Sequence, residues 1–259
     1  MTLGTLRPRI LVSNDDGIHA DGLRALAEAM EALGEVWIVA PESEQSAASH
    51  AISLHRPLRI KELGPRRFAI DGTPSDCSYV AVNHLLKDRR PDLMVSGINH
   101  GANLADDVTY SGTVAGAMEG ALLGIPSIAV SLQRSSDTYD FKPAAAAAAQ
   151  VAERVMAGGL PLRTFVNINV PAGRPRGFRV TVQARRNHVT VVDARVDPRG
   201  QAYYWIEEGQ NDWEPHDRSD YQAVKDGYIS VTPLHPDLTD YNALALLDEL
   251  SVWREVEVE

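Results

Sequence analysis

Cysteine is nearly missing from this chain. Cys77 is the single one among 259 residues, which excludes an intrachain disulfide and a cysteine-based zinc cluster. Its place in a helical stretch makes it a small buried hydrophobe. Long apolar runs are missing too: none is long enough to span a bilayer. Met1–Pro8 and the short apolar run after it lack the hydrophobic region of a secretory leader, so the expected location is the cytoplasm. Basic charge is scarce: 25 Lys and Arg against 35 Asp and Glu give a formal net charge of −10. That argues against a surface for nucleic-acid polymers. It does not exclude a small phosphorylated ligand, because a bound cation can reverse a local field. Familiar catalytic signatures are absent as well. There is no Walker Gly-Lys-Ser/Thr and no Gly-x-Ser-x-Gly elbow. The scattered histidines (His19, His50, His55, His84, His100, His188, His216 and His235) form no His-x-x-x-His pair, and each reads singly as surface or packed structure.

What is present is an ordinary globular composition, 44% hydrophobic and 23% charged. The length suits one α/β domain with an extension, and no internal repeat is found. From Arg9 to about Val170, strand and helix signals alternate. Strands are expected at Ile10–Val12, Val36–Ala40, Leu93–Gly97, Ser127–Leu132 and Phe165–Val170, with a short excursion at Leu58–Ile60 and Phe68–Ile70. Leu23, Leu26, Ala27, Met30 and Leu33 share one helical face, with Asp21 as N-cap and Gly34 as stop. Further helices follow from Pro74 to Leu86, around Val114–Leu122, and over the alanine run Ala144–Ala149. Ile98–Thr113 reads as a long loop. Alternation of this kind predicts a Rossmann-like, mostly parallel sheet flanked by helices. From Gly177 onward the pattern changes to strands at Phe178–Val182, Ala202–Ile206 and Tyr228–Val231, separated by polar stretches, then a last helix at Leu238–Leu250. The expectation is a single domain, 1–259, with a core over residues 9–175 and a β-rich arm and helix over 176–259. Such an arm either packs on another subunit or forms a rim on its own.

The chemistry concentrates at strand ends. Ile10–Val12 stops at Asp15-Asp16-Gly17, an adjacent carboxylate pair at the end of the first strand. The pair is either good turn chemistry or a hard-cation site, since paired carboxylates are costly without a neutralising charge. Ligands of open α/β sheets bind beyond the carboxyl ends of the strands, and other strand ends supply matching groups. Ser43, Ser46 and Ser49 follow Val39-Ala40, and Asn99, His100 and Asn103 follow Val95-Ser96-Gly97. The carboxylates, hydroxyls and amide carbonyls in this set are oxygen ligands, which suit magnesium, calcium or manganese better than zinc or copper. Ser96–Asn103 has the glycines of a close backbone approach, or is a plain connection. In Tyr110-Ser111-Gly112-Thr113-Val114, Thr113 serves as an ordinary N-cap, or the free N–H groups at the helix start hold phosphate. Asp106-Asp107 reads as a solvated loop.

Taken together, these segments closely resemble the SurE family, the stationary-phase survival proteins, which are metal-dependent 5′/3′-nucleotidases. The residues that carry the likeness are Ile10–Gly17, Val39-Ala40-Pro41 with Ser46 and Ser49, Gly72–Cys77, Pro91–Leu93, Val95–Asn103, Tyr110–Val114, Gly227-Tyr228 and Thr232-Pro233-Leu234. The resemblance implies a phosphomonoesterase acting on nucleoside monophosphates, with Asp15 and Asp16 catalytic. It implies one divalent cation, Mg or Mn, held by Asp15, Asp16, Ser46 and Asn99, and a phosphate held by Asn103, Ser111, Gly112 and Thr113. It also implies a homodimer or homotetramer with exchanged C-terminal segments. The chain departs from the family pattern at Gln45, usually basic, at Ala47, usually glycine, and at Ala102, often proline. Attack by a water that Asp15 or Asp16 orients and direct attack by an aspartate are both chemically open. The competing readings are a non-catalytic nucleotide sensor on the same fold and a metal-dependent hydrolase of another small ester or amide.

Overall fold

The computed structural model describes residues 6–134, 139–187, 190–208 and 212–250. The chain opens with strand β1 (Arg9–Ser13), helix α1 (Asp21–Glu31) and β2 (Glu35–Pro41), then the small pair β3 (Ile60–Gly64) and β4 (Arg67–Ile70). Helix α2 (Pro74–Val80) runs into a π-helical turn, Ala81–Leu85, and leads to β5 (Leu93–His100). A short helix α3 (Asp107–Tyr110) and α4 (Gly112–Leu122) precede β6 (Ser127–Leu132), α5 (Lys142–Gly158) and β7 (Phe165–Val170). The remainder comprises β8 (Phe178–Val180), β9 (Arg186–Asn187), β10 (Thr190–Val196), β11 (Ala202–Glu208), β12 (Asp212–Trp213), α6 (Asp220–Lys225), β13 (Ile229–Leu234) and α7 (Ala243–Glu249).

A nine-stranded sheet in the order β3-β4-β2-β1-β5-β6-β7-β13-β8 forms the centre. It is parallel from β4 through β7, with β3 antiparallel to β4 and β13 antiparallel to β7. Both faces are covered, which is why the strands read as continuous apolar runs. Ile10 and Val12 pack toward α1 and α5, whereas Leu11 and Met94 pack toward α2. Each such buried side chain contributes roughly 1.5–3 kcal/mol relative to exposure. The chain moves outward from β1 to β2 and β4, then returns through α2 to place β5 on the other flank of β1. The crevice between the ends of β1 and β5 is therefore a topological switch point.

The expected α/β architecture is present, with local differences. Ala20, not Asp21, occupies the N-cap of α1, and Asp21 instead pairs with Arg24 at 2.9 Å. Gly34 lies beyond the helix end; a Cβ there would sit 2.5 Å from the Pro8 carbonyl oxygen, so close passage of the chain accounts for it. The expected loop after Gly97 is shorter, because β5 continues to His100 through a register shift against β6 between Ser96 and Asn99. The last helix is confined to Ala243–Glu249. In the C-terminal part, β8 and β13 extend the central sheet, while β10 and β11 form a separate antiparallel ladder. Val192, Val196, Tyr204, Trp205 and Ile206 of that ladder are exposed, as are Leu244, Leu246 and Leu247 of α7.

Candidate functional site

A cleft of about 570 Å³ lies at the switch point, lined by Asp15, Asp16, Ser46, Asn99, Asn103 and Ser111 among others. Six of the eight residues expected to form the site thus share one cleft. The other two, Gly112 and Thr113, stand directly behind it against Asp15.

Asp15 and Asp16 follow β1 in a turn that Asn14 braces by donating from Nδ2 to the Gly17 carbonyl at 3.1 Å. Asp15 is only 4% exposed. Burial, reinforced by the neighbouring Asp16 charge, pushes its carboxyl up to about 6, although hydrogen bonding from Thr113 opposes this. The Thr113 hydroxyl donates to Asp15 Oδ1. Ser111, not Thr113, caps α4, accepting from Val114 N at 3.1 Å. Helix α4 approaches so closely that a Cβ on Gly112 would lie 2.8 Å from the Asp15 Cβ. A glycine at this helix start is what allows the carboxylate and the helix to meet.

Asp16 has two different oxygens. Oδ1 is 2.8 Å from His100 Nδ1, whereas Oδ2 is buried without a hydrogen-bond partner. The hydrogen bond to Asp16 raises the His100 imidazole above its usual range, with burial opposing. His100 also packs edge-on against Tyr139 and Phe141, at centroid separations of 4.9 and 5.2 Å. Asn99 commits its amide nitrogen to Gly101 O at 2.9 Å, so its amide oxygen is the group left for a cation. Ser46 is exposed and donates to Glu44 Oε1 at 2.7 Å. Its loop is tied down at several points. Gln45 N donates to Asp15 O at 2.8 Å, Ser49 N to Tyr110 O at 3.0 Å, and His50 Nε2 lies 2.8 Å from buried Glu119 of α4.

Asn103 is fixed by polar residues within β6 and β7. Its N–H donates to Asn169 Oδ1 at 2.7 Å, its Nδ2 to Ser131 Oγ at 2.8 Å, and its carbonyl accepts from Asn167 and Asn169 at 2.9 and 3.0 Å. Asp107, expected in a solvated loop, instead lines the cleft and pairs with Arg186. The sequence offers His100 as one of several strand-end groups, Tyr110 only as the first residue of a helix-start motif and Asp107 as a loop acid; Glu44 and the Asn167/Asn169 bracket are brought in by the fold. Alternating asparagines inside an otherwise apolar strand were a visible signal for that bracket, since buried amides require partners. His188 lies outside the described residues.

The donor set suits a hard divalent cation. Asp16 Oδ2 is orphaned and buried, the Asp15 carboxylate is buried with a hydroxyl donor and no salt-bridge partner among the described residues, and Ser46 and Asn99 offer neutral oxygens in the same cleft. Among the described residues no group of three or more His, Cys, Asp or Glu is placed to hold a metal, and two carboxylates with neutral oxygens are a different, oxygen-rich arrangement.

Known proteins resemble the chain over nearly its whole length. The family model for the survival protein SurE matches residues 10–190. A protein named 5′-nucleotidase SurE from Myxococcus xanthus is 57% identical over 250 residues, 95% of this chain and 93% of its own. Another of that name, from Syntrophotalea carbinolica, is 50% identical over 94% of this chain and 97% of its own. The crystal structure of the SurE protein from Aquifex aeolicus superposes with a TM-score of 0.84 at 40% identity, covering 94% of this chain and all of its own.

Proposed function

The chain belongs to the SurE family, and from that premise we infer that it is a 5′-nucleotidase, hydrolysing nucleoside monophosphates to nucleoside and phosphate. The observation that carries this reading is convergence in one cleft. Two carboxylates and two neutral oxygens from three strand ends face Asn103 and a helix start capped by Ser111.

We further propose that Asp15, Asp16, Ser46 and Asn99 hold one divalent cation, magnesium or manganese. Such an ion, when bound, supplies positive charge against the phosphoryl oxygens and acidifies a nearby water. The rest belongs to the chain. Thr113 holds Asp15 through Oδ1, and His100 holds Asp16 through Oδ1, which orients both carboxylates and leaves Asp16 Oδ2 for the ion. The Asp15–Asp16 pair orients the attacking water and takes its proton. Asn103, the Ser111 hydroxyl and the backbone at Gly112 and Thr113 hold the phosphate, with the start of α4 favouring negative charge. The reaction needs positioning and charge neutralisation above all, and this cleft is built from rigid strand and helix ends.

Residues 1–259 form one domain in this reading, with a core over 9–175 and an arm over 176–259. The exposed apolar residues of β10, β11 and α7 support a homodimer or homotetramer with exchanged C-terminal segments. No helix among the described residues is long and apolar enough to cross a membrane; a cytoplasmic location is part of the proposal.

The test is phosphate release from a panel of nucleoside monophosphates with magnesium or manganese, against a chelator control. Asp16→Asn is expected to keep the fold and cut turnover by a factor of about a hundred or more. Nucleotide binding by the wild type with no phosphate released over hours would refute the enzyme and leave a nucleotide sensor.

A further inference from the structure

The loop from Asn103 to Ser111 carries phosphate-binding groups at both ends, and the arm grips it in the middle. Ala105 sits there in the left-handed region, φ 50°. Gln183 Nε2 donates to its carbonyl at 2.8 Å, and its N–H donates to Asp220 Oδ2 at 3.3 Å. The other oxygen of Asp220 accepts from Ala184 N at 2.9 Å and Tyr221 N at 2.7 Å. One buried carboxylate thereby joins the loop to the base of the arm. Two residues further on, the Arg186 guanidinium bonds Asp107 Oδ1.

Arg186 is itself held in place. Its side chain is 4% exposed, and its guanidinium lies 5.4 Å from the Trp213 ring centroid. Trp213 in turn stacks on Tyr221 at 3.8 Å. Electrostatics gives this pair a second meaning. Asp15, Asp16, Glu44 and Asp107 all line the cleft, and among the described residues no Lys or Arg lines it. A phosphate dianion entering it meets the Asp107 carboxylate, whose charge Arg186 offsets from behind.

We propose that Arg186 and Asp220 are positioning residues for the phosphate-binding loop, with Arg186 also offsetting the Asp107 charge, so that the seating of the arm sets the affinity for substrate phosphate. The proposal rests on the nucleotidase reading of the cleft. Neither residue touches the reacting atoms. Both act through Ala105 and Asp107, and the cation site at Asp15–Asp16 lies on other elements. Removing Arg186 takes one positive charge from beside the Asp107 carboxylate, which lines the cleft where phosphate binds in this reading.

The experiment uses the full chain with manganese. KM and kcat for a nucleoside monophosphate, inhibition by inorganic phosphate, and manganese affinity are measured for the wild type, Arg186→Ala, Arg186→Lys and Arg186→Ala/Asp107→Asn. In Arg186→Ala, KM is expected to rise and inorganic phosphate inhibition to weaken by about tenfold, the size of a charge-pair coupling, while manganese affinity changes by less than about twofold. Lysine recovers part of the loss. Asparagine at 107 recovers KM as well, because it removes the charge that needed offsetting. An unchanged KM in Arg186→Ala, a parallel loss of manganese binding, or no recovery in the double variant would each overturn the proposal. Should Arg186→Ala not fold, Arg186→Lys and Asp220→Asn are read the same way, and unchanged KM in both overturns it. A wild type that releases no phosphate sinks the nucleotidase reading, whereas an active wild type with an indifferent Arg186→Ala sinks this inference alone.

Discussion

Asp15→Asn is expected to make the metal-free protein more stable while destroying its activity. The carboxyl titrates at about 6 in the folded chain against 3.8 for an unperturbed aspartate. At about 1.36 kcal/mol per pKa unit, that difference is a cost of about 3 kcal/mol for holding the ionised form in place. The cost is absent below pH 3.8, where both states are protonated, grows between 3.8 and about 6, and is complete above. The contribution of Asp15 to stability therefore falls as pH rises through this window. Asparagine retains an oxygen for the Thr113 hydroxyl and carries no charge, so it escapes the cost. In chelator at pH 7.5, Asp15→Asn should unfold about 2–3 kcal/mol later than wild type, and Tm should rise by about 2–4 °C per kcal/mol. The gap should close as pH approaches 4. Manganese at a hundred times its Kd should stabilise the wild type by about 2.7 kcal/mol and leave the variant unmoved. Denaturant titrations with and without chelator at several pH values decide the matter. A variant no more stable than wild type at pH 7.5 in chelator, or a gap indifferent to pH, would refute the account of Asp15 as a buried, uncompensated charge.

Other outcomes follow from the same geometry. Gly112→Ala puts a methyl group 2.8 Å from the Asp15 Cβ. Turnover should fall by about a hundredfold, the cost of a misplacement near 1 Å, and full activity in steady-state assays would show that the close approach is unimportant. His50→Ala leaves Glu119, buried in α4, without its 2.8 Å partner. A destabilisation of about 1–3 kcal/mol is expected, together with weaker manganese binding because the Ser46 loop loses a tether; calorimetry and metal titration read the two effects separately. Single-turnover hydrolysis in oxygen-18 water should place label in phosphate and none in a protein carboxylate. Label in Asp15 or Asp16 would mean that an aspartate attacks directly.

Local pattern made much of this molecule readable. Ile10–Val12, Val36–Ala40 and Leu93–Gly97 declare themselves as buried strands through short apolar runs, and the Asp15-Asp16 pair stands out because carboxylates there need a reason. What local pattern does not carry is partnership across the chain. Arg186 and Asp107 are 79 residues apart, and nothing near Asp107 distinguishes a paired carboxylate from a solvated one. Thr113 resembles an N-cap because its type and position fit; only the fold reveals that Ser111 takes that task and Thr113 turns to Asp15. Strand order is equally non-local. Ile229–Leu234 reads as part of a separate arm because its own sequence cannot say that its neighbour is β7.

That neighbour relation has a consequence for the making of the protein. Until residues 229–234 have been synthesised, β7 is paired on one side only, and its free edge presents unsatisfied backbone groups to any other strand within reach. Asp220, with its grip on Ala105, emerges only shortly before that segment. A nascent chain that has finished its Rossmann-like core is therefore sticky and incompletely assembled at the cleft. Truncation near residue 175 should yield aggregation in place of a minimal working core, and the final third of the chain acts as the closing step of its own quality control.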